Sequence, residues 1–202
     1  MALYKVNADK GFKILLATTP GVVFINGPRF SERDAFVERF KSEDVNLLHL
    51  DSIYKRLTAK SIQTLEEIRE YFACEPAIEK TVLDDLLITE LHAYLSRCKS
   101  CIISGDLGNA DLIQKIFDGS FTYVYVYPNS ADQYKEAVVS YVNQCEKDPD
   151  ATDTLSKLVT RQGKKSFDKN LDSYVDGLLK QRKQIFKSHR EILGRALVIL
   201  DK

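Results

Sequence analysis

The chain lacks a net charge: 29 Lys and Arg side chains balance 29 Asp and Glu across 202 residues. A balanced chain projects no overall field toward nucleic acid or a membrane surface, which leaves only local basic patches for such contacts. It also lacks long apolar runs. None approaches the roughly 20 residues that cross a bilayer, and Met1-Ala2-Leu3-Tyr4-Lys5 has no signal-peptide pattern. The expectation is a cytoplasmic protein with no membrane partner. Cysteine is sparse, and Cys74, Cys98, Cys101 and Cys145 make no disulfide framework in a chain of this size. Cys98-Lys99-Ser100-Cys101 is a lone CxxC without a second pair, which argues against zinc and for small packing thiols. Repeats and low-complexity segments are missing too. With 44% hydrophobic and 29% charged residues, the composition is that of a folded globular chain. The length suits one domain over 1–202.

What is present centres on Gly21 to Phe40, GVVFINGPRFSERDAFVERF. Val22 to Ile25 is a short β-branched run of the kind that forms a strand buried on both faces. Asn26-Gly27-Pro28 breaks it. Asp34 to Phe40 then sets Phe36, Val37 and Phe40 at helical spacing. Strand, tight turn and amphipathic helix are the setting of a phosphate-binding loop. The pattern GxxxxGK[ST] falls on Gly27-Pro28-Arg29-Phe30-Ser31-Glu32-Arg33-Asp34. Its length and leading Gly fit. Glu32 replaces the second Gly, Arg33 the Lys, and Asp34 the Ser/Thr. Glu32 brings negative charge where backbone N–H groups should close around phosphates. Arg33 keeps the charge but exchanges a compact ammonium for a planar fork.

The remaining pattern alternates strands and helices. Residues 1–20 form an N-terminal extension in which Lys13 to Ala17 reads as an added strand or hairpin. Strands are expected at Val45–Leu50, Cys101–Ser104, Tyr123–Tyr127 and Ala196–Leu200. Helices are expected at Ser61–Phe72, Ile78–Arg97, Ala110–Phe117, Ala131–Gln144, Thr152–Val159 and Leu171 to about Ile192. Such alternation is the sequence form of a parallel sheet covered on both faces. Loops after the strands' carboxyl ends then converge on one crevice, bringing Gly27, Asp51, Gly105-Asp106 and Pro128-Asn129 together. His49, His92 and His189 are scattered with no nucleophile beside them and read as packing or surface residues.

The loop register resembles the P-loop kinases. Leu50-Asp51-Ser52-Ile53-Tyr54-Lys55 looks like the xDxxY segment of nucleoside kinases and polynucleotide 5′-hydroxyl kinases. Ile102 to Asn109 is similar to their third-strand segment, and Val124 to Ser130 to the fourth strand of guanylate-kinase-like proteins. The resemblance implies a three-layer α/β fold with a five-stranded parallel core sheet, and ATP with Mg²⁺. It places Gly27, Pro28, Arg29, Phe30, Ser31, Arg33 and Asp34 around the phosphates. Asp34 and Asp106 would serve the metal, and Asp51 would act as base for an attacking hydroxyl. Asp51 reads equally as a helix N-cap, and Asp106 as a turn residue between glycines. Thr160 to Ser166, within a lid-like loop at about 160–170, offers Arg161, Lys164 and Lys165, with Arg182 in the helix beyond, to neutralise a transferring phosphoryl. A solvated basic loop is the plainer reading. The functions left open are phosphoryl transfer from ATP to a nucleoside, nucleotide or nucleic-acid hydroxyl (a nucleic-acid end or modified base included), monophosphate kinase activity, and a degenerate nucleotide-binding or protein-interaction module.

Overall fold

Short apolar, β-branched segments form the interior strands here because every residue in them meets packed side chains. In the computed structural model, residues 3–18, 21–27, 31–50, 52–53, 77–118, 121–127, 130–145, 164–193 and 196–200 are described. In chain order the elements are β1 (Leu3–Asn7), α1 (Ala8–Thr18), β2 (Val22–Asn26), α2 (Arg33–Glu38) and a 3₁₀ turn over Arg39–Ser42. Then come β3 (Leu47–His49), α3 (Ala77–Leu95), β4 (Cys101–Gly105), α4 (Ala110–Ile116) and β5 (Phe121–Tyr127). The chain closes with α5 (Ala131–Cys145), α6 (Lys164–Leu193) and β6 (Ala196–Leu200). The strands make one six-stranded sheet in the order β1-β6-β5-β2-β4-β3, and every pairing is parallel.

The pleat sorts the core into two layers. Val23, Ile25, Ile102, Val124 and Val126 face Leu15 of α1, with Phe36 and Val37 of α2 and Phe40 just beyond it. Phe24, Ile103, Tyr123 and Tyr125 face Leu87 and Leu91 of α3, together with Leu112, Ile113 and Ile116 of α4. Helices therefore cover both faces, as an all-parallel sheet requires. On the first face, the Arg39 guanidinium lies 4.5 Å from the Phe12 ring centre and pairs with Asp9 at 3.0 Å, joining α1 to the end of α2. On the second, Asn109 caps α4 by accepting from the Asp111 and Leu112 amides at 2.9 and 3.3 Å.

Four expectations change. The buried strand expected at Val45–Leu50 is confined to Leu47–His49, partly buried at the sheet edge, with Leu50 already helical. The sheet has six strands rather than five, because Leu3–Asn7 adds an outer strand beside β6. Lys13 to Ala17 is helix, not strand or hairpin; Phe12, Leu15 and Leu16 pack on one side of α1 at spacings a short apolar run also allows. Helix α6 starts at Lys164 instead of Leu171, so Lys164, Lys165 and Ser166 belong to a helix rather than to a lid loop. The helices expected at 61–72 and 152–159 lie outside the described residues.

Chain direction then locates a topological switch point, where folds of this class form their ligand crevice. From β2 the chain departs toward β3, whereas from β5 it departs toward β6 on the other side. Between the carboxyl ends of β2 and β5 the order reverses, and open α/β sheets bind ligands at such points. Two glycines let the backbones close up nearby. A Cβ on Gly27 would sit 2.9 Å from the Val126 carbonyl oxygen of β5. One on Gly105 would sit 2.4 to 2.6 Å from Leu50 Cδ1, Cβ and Cγ. Leu50 is fully buried and cannot retreat. Gly105→Ala is therefore expected to cost about 1–3 kcal/mol, the usual range for overpacking, read as a lower urea midpoint at unchanged slope. A change below about 0.5 kcal/mol, ordinary for a surface site, would show that β4 and Leu50 separate easily.

Candidate functional site

At the carboxyl end of β2 the alternation that buries Phe24 also buries Asn26, only 1% exposed. A carboxamide there needs partners for every polar atom. It finds them in the backbone after β4. Asn26 Nδ2 donates to the Leu107 carbonyl at 2.8 Å, and the Leu107 amide donates to Asn26 Oδ1 at 3.1 Å. Asn26 Nδ2 also donates to the Tyr123 hydroxyl at 3.1 Å. That hydroxyl lies 2.7 Å from His189 Nδ1, and His189 Nε2 lies 3.1 Å from the Gly108 carbonyl. A carbonyl only accepts, so Nε2 carries the hydrogen. In the neutral ring Nδ1 then accepts from Tyr123. The network ties β2, β5, α6 and the segment after β4 into one buried polar cluster below the crevice.

Its ionisation behaviour follows from burial. Desolvation pushes the Tyr123 phenol well above its ordinary 10.0, with the Asn26 hydrogen bond pulling the other way and the charge of Asp106 adding to the rise. A neutral phenol is thus built into the folded state. On the same face Tyr94 is pushed to about 12 by burial and by Cys98 and Cys101 beside it. The Cys101 thiol rises to about 11, first by burial and then by Cys98. A thiol so shifted is a packing group, not a nucleophile.

The loop after β2 is organised by Arg33. Its side chain is 3% exposed while that of Asp34 is 57% exposed. Arg33 Nη1 donates to the Gly27 carbonyl at 2.9 Å. Nε donates to Asp34 Oδ1 at 2.9 Å, and Nη2 meets the same oxygen at 2.9 Å. The Arg33 amide donates to Ser31 Oγ at 3.3 Å, giving α2 the hydroxyl cap that Glu32 does not supply. The guanidinium thus clamps the first residue of the loop to the first turn of the helix. Glu32 is exposed at the N-cap position, where its carbonyl accepts from the Phe36 amide at 2.8 Å.

The expected site residues fall into three groups. Gly27, Ser31, Arg33 and Asp34 are brought together. Asp106 follows Gly105 at the end of β4, half-buried beside the Tyr123 cluster. Asp51, Pro28, Arg29, Phe30 and Arg161 lie outside the described residues, as do the side chains of Lys164 and Arg182. Among the described residues of the loop, three donors of Arg33 are taken by Gly27 and Asp34, and Glu32 adds charge of a triphosphate's own sign. Among the described residues no three His, Cys, Asp or Glu side chains gather as metal ligands, Asp34 and Asp106 included. Also among the described residues, no helix is long and apolar enough to cross a membrane.

Asn26, Tyr123 and His189 were not singled out by the sequence as one cluster. The signals were small: a polar residue at the in-facing end of β2, and a histidine three places after Phe186 on the apolar side of a helix.

No protein-family model matches the chain, and no curated protein matches it either. Among solved structures, an uncharacterized protein from Eubacterium ventriosum ATCC 27560 is similar at TM-score 0.44 and 9% identity, over 89% of each chain. That likeness assigns neither a family nor an activity.

The Tyr123 cluster carries a stability prediction. Its folded pKa lies above the unfolded one, so the tyrosine's contribution is whole below pH 10.0 and is lost as pH rises past it. The slope contributed is about 1.4 kcal/mol per pH unit. Tyr123→Phe should cost about 1–3 kcal/mol at neutral pH, since His189 Nδ1 and an Asn26 N–H lose their partner in the core. The same variant should show a shallower alkaline loss in urea melts. An unchanged alkaline slope would mean that Tyr123 ionises as freely folded as unfolded.

Proposed function

We propose that this domain is a kinase-like binding module that does not itself transfer phosphate, its P-loop-like turn being held closed by its own arginine. The resemblance supplies the loop register and the five strands β3-β4-β2-β5-β6, to which β1 is an addition. The observation that carries the reading is the Arg33–Asp34–Gly27 clamp. The resemblance would assign the Arg33 cation to phosphate and the Asp34 side chain to Mg²⁺, yet these two groups neutralise each other. ATP–Mg²⁺ reaches the crevice only by separating them, and so binds weakly.

A second reading keeps phosphoryl transfer to a nucleoside, nucleotide or nucleic-acid hydroxyl. It is favoured by Asp34, whose carboxylate stands more than half exposed at the loop rim, where a hydrated cation could meet it. In that reading the clamp opens on binding and Asp51 serves the acceptor.

Asp34→Asn separates the two by the sign of its effect. Freeing the guanidinium should tighten ATP–Mg²⁺ binding about fivefold or more in calorimetry, equivalent to about 1 kcal/mol. If Asp34 instead serves the metal, affinity falls. Alongside, labelled ATP is offered with a panel of nucleosides, nucleoside monophosphates and 5′-hydroxyl oligonucleotides. The binding module gives no transfer. Transfer that drops about 10²–10⁴-fold in Asp51→Asn would establish the second reading.

A further inference from the structure

The opposite end of the sheet carries a separate site. Val22 and Phe121, the first residues of β2 and β5, open onto a cleft of about 350 Å³ also bounded by α3, the end of α4 and the turn after it. Its wall is aromatic. Phe121 stacks on Phe117 at 4.8 Å, and Phe117 stacks on the buried Phe24 at 5.0 Å, so the rings rest on the core. The volume falls within the range of small-molecule pockets, which pair apolar walls with a few placed polar groups.

Those polar groups are His92, Ser96 and Asp118, and their hydrogens are directed elsewhere. His92 Nε2 lies 2.9 Å from the Lys115 carbonyl and 3.1 Å from the Ile116 carbonyl. Carbonyls only accept, so Nε2 is the donor, and Nδ1 of the neutral ring is an acceptor. The Ser96 hydroxyl donates to the Ala93 carbonyl at 2.9 Å, which leaves its lone pairs as acceptors. Asp118 is exposed and follows the carbonyl end of α4. As a carboxylate it only accepts. Among the described residues, no Lys or Arg lines the cleft.

A cleft with three acceptors, one of them the Asp118 carboxylate, and the Phe121 ring in its wall selects a donor-rich cation with an apolar body. We infer that it is a binding site for a small organic cation of the amidinium or guanidinium class. The planar cation lies against Phe121, whose ring is backed by Phe117 and whose quadrupole attracts it, and its N–H groups point to Asp118, Ser96 and His92 Nδ1. This site lies at the strands' amino ends and is independent of the loop after β2.

The probe is benzamidine, with benzamide as its neutral counterpart of nearly equal shape, titrated into the ¹⁵N-labelled protein. Benzamidine should give saturable amide shifts centred on His92, Ser96 and Asp118, and benzamide should bind about tenfold more weakly or not at all. Asp118→Asn, a change at an exposed position, should weaken benzamidine about fivefold or more while the rest of the spectrum holds. Equal binding of the two compounds would overturn the inference, because the cleft would then read shape and not charge. So would an Asp118→Asn variant that binds benzamidine unchanged, or the absence of saturable shifts at these residues.

Discussion

The carboxamide of Asn26 is the constraint to which the upper end of the sheet is fitted. A polar side chain at an in-facing register position must be fully satisfied or it costs the fold several kcal/mol. Here both of its ends close on the backbone of Leu107, so the segment after β4 is fixed relative to β2 by two hydrogen bonds. Its second N–H recruits Tyr123, and Tyr123 in turn orients His189. Helix α6 is thereby pinned to the same point, as His189 donates to Gly108. Satisfied polar networks of this kind specify one arrangement where apolar packing alone would accept several.

Glycine close approach works beside it. Gly27 and Gly105 are joined by an amide–carbonyl bond of 3.3 Å. At Gly27 the neighbour is Val126 of β5, and at Gly105 it is Leu50, just past β3. Four strand ends therefore meet within a small area, which is what places Arg33 over Gly27. Ser104, buried beside Ile25 and His49 in register, has a hydroxyl without a hydrogen-bond partner among the described residues, on the α2 side of this junction. An unpaired buried hydroxyl costs free energy, so this end of the sheet tolerates a polar defect.

Strand positions were legible in the sequence because an all-parallel sheet writes each strand as an unbroken apolar run. Val22–Ile25, Cys101–Ser104, Tyr123–Tyr127 and Ala196–Leu200 all fall on strands. Leu3–Asn7 escaped since Lys5 and Asn7 interrupt the run, as an edge strand permits, and Lys13–Ala17 misled because five apolar-rich residues fit either period. At the site, the sequence located the loop but not the clamp. Arg33 and Asp34 are neighbours, and nothing in their spacing says whether the guanidinium reaches outward to a ligand or back to Gly27. The Asn26–Tyr123–His189 cluster was less legible still, with its members 97 and 66 residues apart. Only the strand order brings them together.

In the proposed reading, the clamp turns phosphate binding at the loop into a competition between anions for one buried cation. A nearly buried guanidinium needs a counter-charge at all times, and stripping it of its partner would leave an uncompensated charge in the core. Asp34 supplies that charge from the adjacent position, with no translational entropy to lose, whereas a free phosphate must pay that entropic cost on arrival. A ligand therefore displaces Asp34 only if its own charge and the backbone N–H groups of the loop together outweigh this local advantage. Glu32, on the loop rim, moves the balance further toward Asp34 by repelling the incoming anion. Two of the three departures from the P-loop pattern, Glu32 for glycine and Asp34 for a hydroxyl, thus act in one direction. Both favour the loop paired with itself.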